Sequence, residues 1–102
     1  MSSAPFVIDP DHPSLPGHFP GRPVVPGVVL LDRVLALLEA QNPELTGIPL
    51  RLPQVKFLQP LLPGEAATIE LQSAATTLRW RFRILRGDVL VANGEIAAGA
   101  LP

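Results

Sequence analysis

The chain has 102 residues, 47% of them hydrophobic and 17% charged, with a formal net charge of −1. This composition predicts one compact domain over residues 1–102 rather than an array or a disordered segment. The near balance of charge removes the cationic footprint on which nucleic-acid binding depends, and the absence of cysteine excludes disulfides, thiolate nucleophiles and cysteine-bound zinc.

Seven of the thirteen prolines lie between Pro5 and Pro26, so the first quarter must be extended chain and turns. Within it, Pro5 to Asp9 can form a short strand, and Asp11 to Arg22 reads as an ordered loop. A loop of that length in a compact domain is usually either functional or disordered, and His12, His18, Phe19 and two glycines favour the functional option. After Gly27 the chain carries neither proline nor glycine until Pro43, which predicts a helix over 27–40, and Pro26 before it suits a first helical position. That helix is apolar almost all round, so it should be enclosed. Strands are predicted at Leu50–Leu58, Ala67–Ser73, Leu78–Ile84 and Val89–Ala97, separated by Leu62-Pro63-Gly64-Glu65 and Arg86-Gly87-Asp88. The third alternates strictly, with Leu78, Trp80, Phe82 and Ile84 on one face and Arg79, Arg81 and Arg83 on the other. One enclosed helix against an antiparallel sheet is an α+β arrangement, and its open sheet edges invite pairing between subunits. Met1 to Pro5 shows no basic segment leading into an apolar core. The longest apolar run, Val24–Leu38, is interrupted by Pro26, Gly27, Asp32 and Arg33. A cytoplasmic protein without a membrane partner is therefore expected.

The chemistry concentrates in residues 12–32. His18 sits in a Pro/Gly loop, a helix start follows, and Asp32 lies one to two turns inside an apolar helix. Histidine is the natural general base near neutral pH. The first amides of a helix have no partner within it and can hold a developing oxyanion. A carboxyl group in an apolar setting tends to stay protonated and can donate. These are the components of proton abstraction next to a carbonyl. The plainer alternatives are a loop-ordering role for His12, an arginine partner for Asp32 and a solvated strand face for Arg79, Arg81 and Arg83.

The run His18-Phe19-Pro20-Gly21-Arg22-Pro23-Val24-Val25-Pro26-Gly27-Val28 resembles the signature of the 3-hydroxyacyl-acyl-carrier-protein dehydratases. Lys56-Phe57-Leu58-Gln59-Pro60-Leu61-Leu62-Pro63-Gly64-Glu65 resembles the second recurrent stretch of the same family. Overall the chain looks most like its small members, of aryl-polyene and 3-hydroxydecanoyl type. The resemblance implies a hot-dog fold, in which an antiparallel sheet wraps one long helix. It implies His18 as catalytic base and Asp32, fourteen positions later, as the acid. It further implies Gly27 and Val28 as the amides that hold the thioester carbonyl, and Phe19 and Pro26 against the substrate. Acyl carrier protein bearing a phosphopantetheine-linked acyl group is the implied partner, met by Arg22, Arg79, Arg81 and Arg83. No cofactor and no metal are implied. His18 and Asp32 of one site would come from different subunits of a homodimer, or of a larger assembly of dimers. The family's frequent Gln four residues after the acid is Ala36 here, and the sequence has no Tyr for the gate some relatives carry. Two other functions fit the same sequence: a hot-dog acyl thioesterase, and a non-catalytic subunit that binds acyl groups or their carrier.

Overall fold

A computed structural model describes residues 2–11, 24–74 and 78–99. Five strands and one long helix follow in the order β1 (Ser2–Val7), α1 (Gly27–Gln41), β2 (Leu50–Phe57), β3 (Ala66–Ser73), β4 (Arg79–Arg86) and β5 (Val89–Ala98). A short 3-10 turn, Pro43–Leu45, follows the helix. All strand pairs are antiparallel, and the sheet order is β1-β3-β4-β5-β2. β2 therefore does not lie beside β3, its successor in the chain. It pairs with β5 at the opposite side of the sheet, and residues 58–65 cross between the two. β1 and β2 are the two edges.

Turn chemistry explains the connections. Glu65 N–H donates to the Leu62 carbonyl at 3.1 Å, and Gly64 has φ 84. Proline second and a left-handed glycine third are what a type II turn requires. Gly87, with φ 59, opens the two-residue turn between β4 and β5, whose flanking residues Arg86 and Val89 are paired. A primed hairpin turn requires a positive φ at that position.

The core joins one face of α1 to the inner face of the sheet. Val29, Leu30, Val34 and Leu38 of the helix are buried with Ile69, Leu71, Phe82, Ile84, Val91 and Ile96 of the strands. Among the described residues no polar or charged side chain is buried. In β4, Trp80, Phe82 and Ile84 face inward while Arg79, Arg81 and Arg83 are exposed, as the alternation predicts.

Three expectations need correction. Pro26 is the N-cap, extended at φ −61 and ψ 145, rather than the first helical residue, which is Gly27. Leu78 is not an inward strand residue. It precedes β4 at φ 61, where the left-handed backbone takes its side chain out of the alternation and leaves it exposed, while its carbonyl accepts from Ala98 N–H at 2.9 Å. The helix, finally, is not enclosed by the described residues. Val28, Asp32, Ala36 and Glu39 are exposed along one side, since a five-stranded sheet covers only one face of a helix. Among the described residues, no helix is long and apolar enough to cross a membrane.

Candidate active site

The start of α1 is held in place from the opposite side of a groove. Val25 N–H donates to the carbonyl of Leu61 at 2.8 Å, and both side chains are buried. This bond ties the residues before the helix to the 58–65 crossover. The crossover is secured in turn by Leu58 and Gln59 N–H groups donating to the Val91 carbonyl, and by Gly64 N–H donating to that of Ile8. Arg86 adds a side-chain clamp, with Nη1 2.6 Å from the Pro60 carbonyl and 3.4 Å from Glu65 Oε1. The same Glu65 oxygen accepts from Leu62 N–H at 2.7 Å.

Pro26 supplies the carbonyl for the first helical bonds, accepting from Val29 and Leu30. Gly27 and Val28 N–H donate to no backbone carbonyl among the described residues. Two free amides at a helix start carry partial positive charge and suit a carbonyl oxygen that gains negative charge. Gly27 lines a groove of about 500 Å³ together with Val24, Pro26, Leu30, Phe57 and Pro60. Those walls are apolar, so the groove suits a hydrocarbon segment attached to the carbonyl.

Phe57, at the end of β2, completes this wall. A Cβ placed on Gly27 would lie 2.6 Å from Phe57 Cζ, so the ring rests directly against the first residue of the helix. The sequence presents Phe57 only as part of a Lys-Phe strand ending. Its place against Gly27 depends on β2 crossing to the β5 edge, which no local pattern reveals.

Asp32 lies one turn beyond Val28 on the same side of α1, and both are exposed. Among the described residues it does not have the apolar surroundings expected of it. A second surface against this side of the helix would be needed to supply them. His12, His18, Phe19 and Arg22 fall outside the described residues. Arg79, Arg81 and Arg83 project from the sheet face opposite α1, away from Gly27. They form exposed ion pairs there: Arg79 and Arg81 with Glu95, and Arg83 with Glu70. Among the described residues no group of three His, Asp or Glu side chains could hold a metal ion.

Residues 2–95 match the ApeI-like family, described as ApeI dehydratase. The chain belongs to the ApeI-like dehydratase family. A 3-hydroxyacyl-[acyl-carrier-protein] dehydratase, FabZ, of Haemophilus influenzae is 33% identical over 100 residues. That match covers 91% of this chain but 66% of the relative, so the chain spans just under two thirds of that enzyme's length. The dehydratase heterocomplex ApeI:P from Xenorhabdus doucetiae has a chain that superposes with TM-score 0.79 at 26% identity, covering 96% of this chain and 86% of that one. The fluoroacetyl-CoA thioesterase FlK superposes with TM-score 0.60 at 19% identity, covering 96% and 88%, which shows the shared fold alone. The fold is the hot-dog α+β arrangement expected from the resemblance. The family membership agrees with the dehydratase signature read in residues 18–28 and 56–65.

Proposed function

We propose that this chain dehydrates a 3-hydroxyacyl thioester carried on acyl carrier protein to the trans-2-enoyl thioester, in fatty-acid-like or aryl-polyene-type biosynthesis. The observation that carries the reading is the pair of amides at Gly27 and Val28, which donate to no backbone carbonyl among the described residues, with Gly27 lining an apolar groove, in a member of the ApeI-like dehydratase family. In the proposed reaction the thioester oxygen accepts from these amides, which lowers the cost of removing a proton from the neighbouring carbon. His18 takes that proton. The electron pair left on the carbon forms the new double bond as the C3–O bond breaks. Asp32 protonates the departing hydroxyl, and water leaves. The thioester survives, whereas a thioesterase would break it.

The exposure of Asp32 supports a shared site, since a carboxyl group on the open side of α1 faces away from its own sheet. We assign it to the histidine of a second subunit across a dimer. Val28, Phe57, Leu58 and Leu62 are exposed apolar side chains that such an interface would cover. The Xenorhabdus relative is described as a heterocomplex, and that favours a second version in which the other subunit is a different dehydratase-like chain. The same reading puts the reaction in the cytoplasm with its carrier protein, which Arg22, Arg79, Arg81 and Arg83 would meet through charge complementarity.

The test is turnover of a carrier-bound 3-hydroxyacyl thioester, with enoyl thioester and released free acid measured in parallel. Enoyl thioester formation by the wild type, lost in His18→Ala and Asp32→Asn, is the expected result. Release of free acid instead would identify a thioesterase. Full activity in both variants would refute the assignment of the site.

A further inference from the structure

The contact between Gly27 and Phe57 has a chemical consequence for what the groove accepts. Gly27 is the first residue of α1 and offers one of the two amides that have no backbone acceptor among the described residues. The Phe57 ring stands so close that all three of its outer carbons Cζ, Cε1 and Cε2 lie within 3.0 Å of where a Cβ on Gly27 would be. Within the single chain the ring is half exposed and belongs to no core cluster. It faces the same groove that Gly27, Leu30 and Pro60 line. β2 carries it there on an edge strand tied to β5 through Phe57–Ala92 pairing, and the next residue is anchored by Leu58 N–H on the Val91 carbonyl. The backbone that bears the ring is thus fixed, while the ring itself occupies space beside the amide.

We infer that Phe57 is a specificity-determining residue that restricts the site to acyl thioesters unbranched at C2. The inference rests on the dehydratase reading for the group that Gly27 holds. A carbonyl oxygen bonded to the Gly27 amide puts C2 one bond from the carbonyl carbon. A hydrogen at C2 fits beside the ring, but a methyl group there meets ring carbons. Gly27 itself shows the limited room, because a single added methyl at its own Cα would collide with the same ring. Rejection of one methyl group by a wall of this kind is worth about ten- to a hundredfold in selectivity. Phe57→Ala removes the wall without opening the core.

The experiment uses unreactive amide analogues of 3-hydroxyacyl pantetheine, one straight-chain and one 2-methyl, with binding measured by calorimetry on the full chain. The wild type should prefer the straight analogue by about tenfold or more, and Phe57→Ala should bring the ratio within about twofold by improving the branched analogue. Phe57→Leu, which keeps an apolar side chain in place, should fall between them. Gly27→Ala should weaken both analogues in the wild-type background and do so less in Phe57→Ala, because neighbouring groups that share one space are not additive. An equal ratio in wild type and Phe57→Ala, or no wild-type preference, overturns the inference, as does failure of both analogues to bind. Turnover of the matching thioesters is followed separately. A wild type that binds and discriminates but forms no enoyl thioester would refute the dehydratase reading and leave the role of Phe57 standing.

Discussion

Gly94 shows how one residue shapes the sheet. It lies in β5 between Phe82 of β4 and Val55 of β2, beside the register shift between Arg51 and Gln54. A Cβ there would stand 2.4 Å from the Gln54 carbonyl oxygen and 2.7 Å from Phe82 Cε1. Neither neighbour can yield easily, since one is backbone and the other a fully buried ring. Gly94→Ala is therefore expected to destabilise the fold by about 2–3 kcal/mol, read as a lower midpoint in urea unfolding. Gly64→Ala should cost less, about 1–2 kcal/mol, because its nearest neighbour, Pro10 Cγ, would be at an ordinary contact distance of 3.9 Å and only its positive φ is strained. The contrast checks the cause: close approach in one case, backbone conformation in the other. Asp32 illustrates the opposite situation, where residue identity was readable but environment was not. Its place in an apolar run suggested burial, yet the apolar neighbours Val29, Leu30 and Val34 turn to the sheet while Asp32 turns away.

At the scale of elements, alternation and turn chemistry made most of the strands legible. β4 declares its inner face through Trp80, Phe82 and Ile84, and Pro63-Gly64 and Gly87 mark turns whose φ values require glycine. The crossing of residues 58–65 was not legible, because hydrogen bonds between Val25 and Leu61 or between Leu58 and Val91 depend on the sheet order. That crossover forms half of the groove, and Arg86 holds it. Arg86→Ala removes the side-chain donor to the Pro60 carbonyl and leaves Glu65 with only the Leu62 N–H. Loss of a partly buried charged hydrogen bond should cost about 1–2 kcal/mol. Thermal unfolding measures that loss, and dehydration kinetics should show KM raised more than kcat is lowered. The arginine face of β4 calls for a different test. Its ion pairs with Glu70 and Glu95 are exposed and contribute little to stability. If the face meets a carrier protein, Arg81→Glu should raise KM for the carrier-bound substrate several-fold, about 3–10 times, at low salt, and leave KM for the pantetheine thioester unchanged. Equal KM values for the carrier-bound substrate in variant and wild type would mark these arginines as a solvated face.

At the scale of the whole molecule, the described residues leave one side of the helix and two edge strands uncovered. A small domain gains most from closing such surfaces against another copy. If the site is shared, His18 and Asp32 should complement each other between chains. His18→Ala supplies an intact Asp32 and Asp32→Asn an intact His18. A mixed dimer of the two then has one complete site and one doubly defective site. Random reassortment makes half of the dimers mixed, and one of two sites works in each, so activity should return to roughly a quarter of the wild-type level. The variants are denatured together and refolded, or co-expressed, and turnover is compared with each variant alone. Recovery near that level requires the two residues to act across the interface. If both variants are inactive alone and stay inactive after mixing, with mixed dimers verified by mass, base and acid belong to one chain. The route from Asp32 to the reacting hydroxyl would then have to lie within a single subunit, against the outward side of α1 on which it is found.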